Sequence, residues 1–239
     1  MFWRNEHIER RAEERLTQLA RSLGRPISPP IPVDHFIEHV LELDFLWDVI
    51  EERPGEVILG AIKPRARQIV INETHVGIFE QRRGLERFTK LHEGGHWDLL
   101  TDQAAIDHPH LLERDDVEGP VSFRQSRSGL LHVLKALCMT REGIDYVCDL
   151  RSRADDPYEK RVVNRYAGAM LIPRQLLRED VARKRPQGWP DVYRLAERYE
   201  VTPTAMKVRL NELGLVYIDE SGTFHGSKAE AAGQQLLFG

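Results

Sequence analysis

Apolar residues recur at helical spacing over residues 5–23, where Ile8, Leu16, Leu19 and Leu23 sit among alternating charges. That pattern predicts an amphipathic helix stopped by Gly24, with Pro26 beyond it. The run Pro29-Pro30-Ile31-Pro32 must be extended, because proline fixes its own φ and restricts the residue before it. Asp34 is expected to cap a second helix over about residues 35–43. Residues 57–59 and 68–71 are short apolar runs flanking Lys63-Pro64-Arg65, which predicts a hairpin. A longer amphipathic helix is expected over residues 85–100. The next stretch, 101–156, is broken by Asp107-His108-Pro109-His110 and Gly119-Pro120. Within it, residues 130–139 suit a helix and Tyr146-Val147-Cys148 a short strand. A further helix runs over 157–171 and stops before Pro173. Residues 192–213 read as helix, turn, helix, with Thr202 as N-cap, Pro203 at the first helical position and Gly214 closing the end. From Ser221 onward the chain is small and polar until Leu236-Leu237-Phe238, the pattern of a flexible tail.

Composition narrows the class. The 239 residues are 41% hydrophobic and 30% charged, ordinary for a globular chain that buries a core. The formal net charge of -4 does not favour bulk nucleic-acid binding. Two cysteines, Cys138 and Cys148, are too few for a disulfide framework or a cysteine zinc cage, and a reducing cytoplasm fits them. No apolar run reaches membrane-spanning length, and Met1-Phe2-Trp3-Arg4 turns charged before any signal-peptide core. The mixture of helices and few strands predicts an α+β fold.

The candidate chemistry lies in His92-Glu93-Gly94-Gly95-His96. Histidines four apart share one helix face, so both imidazoles can reach one zinc ion, and Glu93 lies beside them as a base for a water. Zinc chemistry then needs a third protein ligand from another segment. Glu159, at the start of the 157–171 helix, is the candidate; Asp155 and Asp156 are rivals, and His108, His110 and His132 stand behind them. A lone Glu there is otherwise a favourable charge at the positive helix end. Tyr158 and Tyr166 are available to steady a developing oxyanion, and Asp98 and Asn72 to orient the imidazoles. Adjacent glycines inside a helix each cost about 1 kcal/mol relative to Ala. Gly95 permits close backbone packing, whereas Gly94 enlarges a pocket or marks loose packing, the second being favoured.

Arg87-Phe88-Thr89-Lys90-Leu91-His92-Glu93-Gly94-Gly95-His96-Trp97 resembles the signature of the ImmA/IrrE-type metallopeptidases. Asn164-Arg165-Tyr166-Ala167-Gly168-Ala169-Met170-Leu171-Ile172-Pro173 is similar to that family's second block, Asn-x-Phe-Ala followed by Leu-Leu-Met-Pro. Pro32-Val33 entering a helix and the strand Ile69-Val70-Ile71-Asn72 agree as well. The resemblance implies a zincin-like core with a small antiparallel sheet and the motif helix. It implies zinc bound by His92, His96 and Glu159, with Glu93 catalytic. Two departures stand out. The family's ligand Glu precedes the Asn by four residues, but position 160 is Lys and Glu159 precedes Asn164 by five. A local bulge in the helix would restore its aim. The segment between the two blocks is also longer than usual.

The implied organisation is an N-terminal helix and linker (1–28), a zinc metallopeptidase domain (29–178), a helix-turn-helix-like segment (179–218) and a tail (219–239). The resemblance implies a cytoplasmic zinc endopeptidase acting on a protein partner, such as a repressor or antitoxin-like protein, in regulatory proteolysis within mobile-element or toxin-antitoxin circuits. The other class is an interaction protein that keeps the fold while its metal site has weakened. Arg183-Lys184-Arg185, Arg194, Arg198, Lys207 and Arg209 make the C-terminal helices locally basic, which suits either DNA contact or packing on the core; packing is favoured. Gln234-Gln235-Leu236-Leu237-Phe238 weakly resembles peptides that dock in the bacterial sliding clamp, and an incidental apolar end is the favoured reading.

Overall fold

The computed structural model describes residues 3–52, 57–101, 146–149 and 157–238. The fold is α+β, mostly helical, with one four-stranded and one two-stranded sheet among the described residues. Helix α1 (Asn5–Leu23) buries Ile8, Ala12, Leu16 and Leu19 along one stripe. It ends where Gly24 takes a left-handed φ of 64°, and the amide of Arg25 reaches back to the carbonyl of Ala20 at 3.2 Å. Helix α2 (Val33–His39) starts behind Pro32 without a side-chain cap. Asp34 therefore does not cap it: its carboxylate takes the Lys90 ammonium at 2.8 Å instead. The helix is shorter than its sequence pattern suggests, since the chain turns through Glu42 at φ 55°.

Four strands follow in the spatial order β1-β3-β2-β4: β1 (Asp44–Asp48), β2 (Ile58–Lys63), β3 (Gln68–Asn72) and β4 (Tyr146–Asp149). The β2–β3 hairpin forms as predicted, with Lys63 opposite Gln68 and a 3-10 turn at Pro64–Ala66. The sheet is nevertheless mixed rather than antiparallel. Strand β1, which the hydrophobic pattern does not announce, pairs parallel with β3, Phe45 opposite Ile69. Its burial is too slight for an alternation to show, whereas β3 is buried from Ile69 to Asn72.

Helix α3 (Val76–Gln81) leads to α4 (Arg83–Gly95), which lies across the sheet and widens into a π turn at His96–Leu100. Helix α5 (Pro157–Leu171) packs on α4, and α1 packs on α5. Helices α6 (Arg174–Arg183), α7 (Trp189–Tyr199) and α8 (Pro203–Glu212) complete the helical side. The Thr202 hydroxyl accepts from the Ala205 amide at 3.1 Å, and Pro203 opens α8, as its sequence predicts. Residues expected to form a featureless tail instead carry strand β6 (Phe224–His225), paired with β5 (Tyr217–Ile218), and helix α9 (Lys228–Phe238). The Asp219 carboxylate organises that hairpin by accepting from Ser221, Thr223 and His225. No helix among the described residues is long and apolar enough to cross a membrane.

The basic residues of the C-terminal helices are largely engaged within the chain. Arg209 is buried and makes two bonds to the Glu9 carboxylate, at 2.6 and 2.8 Å, plus one to the Ile172 carbonyl. Lys207 donates to the Asp219 carbonyl, Arg198 to Asp180, and Arg194 to Asp191. Of these, Arg209 is buried, whereas the Arg194 and Arg198 side chains stay more than half exposed. Burial alone would raise the Glu9 pKa, but the Arg209 bonds and the charges of Arg165 and Arg174 outweigh it and hold it low.

Candidate metal centre

Helix α4 reaches the sheet because position 60 of β2 is glycine. A Cβ there would lie 2.9 Å from Thr89 Cγ2 and 3.2 Å from the Val70 carbonyl, so any larger residue would force the helix away. The same approach sets Glu93 Cγ at 3.5 Å from that point, so the Glu93 side chain is fully buried against β2. On the other side, Gly95 does for α5 what Gly60 does for the sheet. A Cβ at 95 would meet Tyr166 Cδ1 at 3.2 Å and Val163 Cβ at 3.3 Å. Gly94 does not mark loose packing: a Cβ there would stand 3.1 Å from Leu41 Cδ1. Both glycines thus sit at close contacts, one against a helix and one against the end of a leucine.

The residues before the histidines each hold something in place. Arg87 donates to the Ile31 carbonyl at 2.7 Å and pairs with Glu200 at 3.3 Å, tying the proline-rich linker and the α7–α8 turn to α4. The Phe88 ring stands 6.2 Å from that of His92. Thr89 returns its hydroxyl to the Leu85 carbonyl, turning its methyl toward Gly60.

His92 and His96 are brought together. Their Nε2 atoms lie 3.2 Å apart, with ring centroids 5.0 Å apart. Two nitrogens about 2.05 Å from one tetrahedral zinc would be separated by about 3.3 Å, so the pair fits a zinc ion without rearrangement. The Nδ1–H of His92 donates to the Asn164 side-chain carbonyl at 2.8 Å. That bond fixes the tautomer and leaves Nε2 with its lone pair pointing at His96. Burial takes the His92 pKa down to about 4; the Asn164 bond opposes this and the Lys160 charge adds to it. The ring is therefore neutral at pH 7, as a metal ligand must be.

Glu159 is buried at the first turn of α5, one turn before Val163 on the stripe that meets Gly95. Among the described residues, no three His, Cys, Asp or Glu side chains converge as a metal-holding group. Helix α5 runs as a regular α-helix from Pro157, so the bulge expected to re-aim Glu159 is not found there. The π turn comes instead in the motif segment, at His96–Leu100. Asp155, Asp156, His108, His110, His132 and the helix expected over 130–139 lie outside the described residues.

The supporting residues differ from those the sequence suggested. Asp98 does not orient an imidazole. It is the acceptor of a buried cluster, taking bonds from Arg11 at 2.7 and 3.1 Å, from Arg15, and from the Tyr166 hydroxyl at 2.8 Å. Its own burial would raise its pKa, but Arg15 and Arg11 hold it below the usual range. Tyr166, buried beside that charge, has its pKa raised well above the usual value and spends its proton on Asp98. Tyr158 bonds the backbone of Trp3, accepting from its amide. Asn72 is a clamp at the end of β3, donating to the Ile58 carbonyl at 2.8 Å and accepting from Ile50 and Thr74 amides. The residue the sequence did not single out is Asn164. Its place in the second block was visible, but its pairing with His92 required the packing of α5 on α4. Comparison of the chain with protein-family models and with curated proteins finds no match.

Proposed function

We propose that this chain is a zinc-dependent peptidase of the ImmA/IrrE type, hydrolysing a protein partner such as a repressor or antitoxin-like protein. One observation carries the proposal: two imidazoles bring their Nε2 atoms to 3.2 Å, that of His92 neutral and anchored through Nδ1, with a fully buried Glu between them in sequence. Zinc, when bound, supplies a Lewis acid toward a water and the scissile carbonyl. His92 and His96 hold it, and Glu159 is the proposed third ligand. Glu93 takes the proton of the attacking water and returns it to the leaving amine. Asn164 positions His92.

The protein as purified is expected to hold close to one zinc per chain. Glu93→Gln should keep that zinc while hydrolysis falls about 100-fold or more. Glu159→Ala should weaken zinc binding; unchanged zinc content would move the third ligand elsewhere. A wild-type chain that neither contains zinc nor takes it up would overturn the proposal.

A second reading, an interaction protein with a weakened metal site, draws on Lys160. Its charge bears on His92, and it occupies the place four residues before Asn164 where the family's ligand falls. Zinc stoichiometry separates the two.

A further inference from the structure

Four of the six large apolar side chains exposed among the described residues gather at one border of the four-stranded sheet. They are Trp47 (40% exposed) and Val49 (62%), on β1 and just beyond it, and Val76 (43%) and Ile78 (40%) of α3. The two segments adjoin. Asp48 stands opposite Asn72, just before the turn that leads into α3, and the Trp47 ring meets that of Phe79 edge-on at 6.0 Å. Single exposed apolar residues are ordinary, whereas a group of them beside polar residues marks a contact surface.

Strand β1 is the outermost strand on that side, and its backbone is half used. The Asp44 amide donates to the Arg67 carbonyl at 2.8 Å, and Asp44 stands opposite Gln68. Alternate residues engage the neighbour in a parallel ladder, so Asp44, Leu46 and Asp48 face β3 while the N–H and C=O of Phe45 and Trp47 turn outward. Those outward groups have no hydrogen-bond partner among the described residues. The next outward amide, that of Val49, is closed by the Asp48 carboxylate at 2.9 Å. The open edge is therefore short and has a defined end, enough for one extended segment to add to.

Charge selects the occupant. Asp44 and Asp48 are exposed on the face of β1 where Leu46 packs on Val70 and Ala61, and neither has an ion-pair partner among the described residues. The cations on this side are spent: Arg67 pairs with Glu42, and Lys90, over the Phe45 ring, pairs with Asp34 and Glu86. A second copy of this chain does not fit. Two β1 strands paired antiparallel through Leu46 would set Asp44 against Asp48 twice, and like charges directly opposed are destabilising. The same carboxylates repel nucleic acid.

We propose that the β1 edge docks an extended segment of a partner protein by antiparallel strand pairing, with Lys or Arg opposite Asp44 and Asp48 and apolar residues between them. The partner residues opposite Phe45 and Trp47 exchange both backbone bonds with them. Apolar side chains there cover Trp47, Val49 and the α3 residues. Strand β3 separates β1 from β2, on which Glu93 packs, so the docked segment leaves the candidate centre open. The docking is independent of the zinc reading, whereas its use in holding a protein for hydrolysis rests on that reading.

The test uses the metal-free full chain and the peptide acetyl-Arg-Val-Leu-Val-Arg-amide. Calorimetric titration should give a Kd below about 1 mM. The same peptide with Glu in place of both Arg, or with both valine nitrogens methylated, should bind tenfold or more weakly. Peptide at saturation should slow hydrogen exchange of the Phe45 and Trp47 amides tenfold or more, and those of Leu46 and Asp48, already turned to β3, by less. Asp44→Lys combined with Asp48→Lys should invert the ranking of the Arg and Glu peptides. The peptide comparisons, made on the unaltered chain, decide the matter if that variant fails to fold. Absence of binding, a Glu or methylated peptide that binds like the parent peptide, or unslowed exchange at Phe45 and Trp47 would each overturn the docking. A chain that takes up no zinc fails the peptidase reading, while these measurements, made without metal, still decide the edge.

Discussion

Two buried polar clusters lie within one helical turn of each other on the motif segment, and they are built on opposite rules. Around Asp98, one carboxylate meets two guanidiniums and a phenol, every contact pairing a donor with an acceptor. Around His92 and His96, two ring nitrogens face each other at 3.2 Å, the one on His92 being an acceptor because its Nδ1 donates to Asn164. The first cluster is complete as it stands and fastens α1 and α5 to the motif. The second is where the proposed zinc would sit.

The largest expected effect strikes the complete cluster. Asp98→Asn keeps the shape but leaves Arg11 and Arg15 without their countercharge, and should cost about 3–5 kcal/mol of stability in urea denaturation. Zinc affinity of the folded fraction should be unchanged. A loss below about 1 kcal/mol would mean that the cluster does not hold the helices together.

Acid should strike the other cluster. His92 has a folded pKa of about 4 against an ordinary 6.5, so between those values the unfolded chain takes a proton that the folded chain refuses. Stability of the metal-free protein should be fully present above about pH 6.5 and fall by on the order of 3 kcal/mol as the pH drops to about 4. His92→Gln should flatten that slope, and an equally steep slope in the variant would assign it to other groups. Glu9 and Asp98, both held low by arginines, should add their losses as the pH falls below their ordinary values of 4.5 and 3.8.

Asn164→Ala should lower zinc affinity by about 10–100-fold, the usual effect of losing a partner that orients a ligand. Its cost to folding should stay within the 1–3 kcal/mol of a buried donor left unmet, below that of Asp98→Asn. Equal zinc affinity in the two variants would erase the distinction between the clusters.

The smallest effects concern the glycines. Gly95→Ala presses on the Tyr166 ring and on Val163 Cβ, close to the α5 backbone, and should cost about 1–3 kcal/mol. Gly94→Ala presses only on the end of Leu41, and the gain in helix propensity, about 1 kcal/mol, should nearly offset it. Urea midpoints of the two variants check the difference.

Much of this was legible along the chain. The α1 stripe and its Gly24 stop, the β2–β3 hairpin, the Thr202-Pro203 start of α8 and the His92/His96 pair all depend on neighbours within a turn or two. The misreadings have a shared cause. Asp34 looks like a cap but meets Lys90, 56 residues away; Asp98 looks like an imidazole partner but meets Arg11 and Arg15, 87 and 83 residues away. A short polar side chain beside a helix start or a histidine has several local uses, and only the packing shows which distant group arrives first. Strand β1 escaped notice because its partner, not its pattern, makes it a strand.

What the sequence determined by itself is periodic and local: which segments are helices, where they stop, and that two imidazoles share one face of one of them. Hydrogen bonds four residues apart, caps and proline act within that range, so the residues suffice. The tertiary structure decided the rest. It set Gly60 and Gly95 as the contacts that press α4 between sheet and α5, brought Asn164 to His92 across 72 residues, and turned Arg209 inward onto Glu9. These choices depend on which surfaces meet, because a carboxylate or an amide carries no sequence mark of the partner that packing will bring to it.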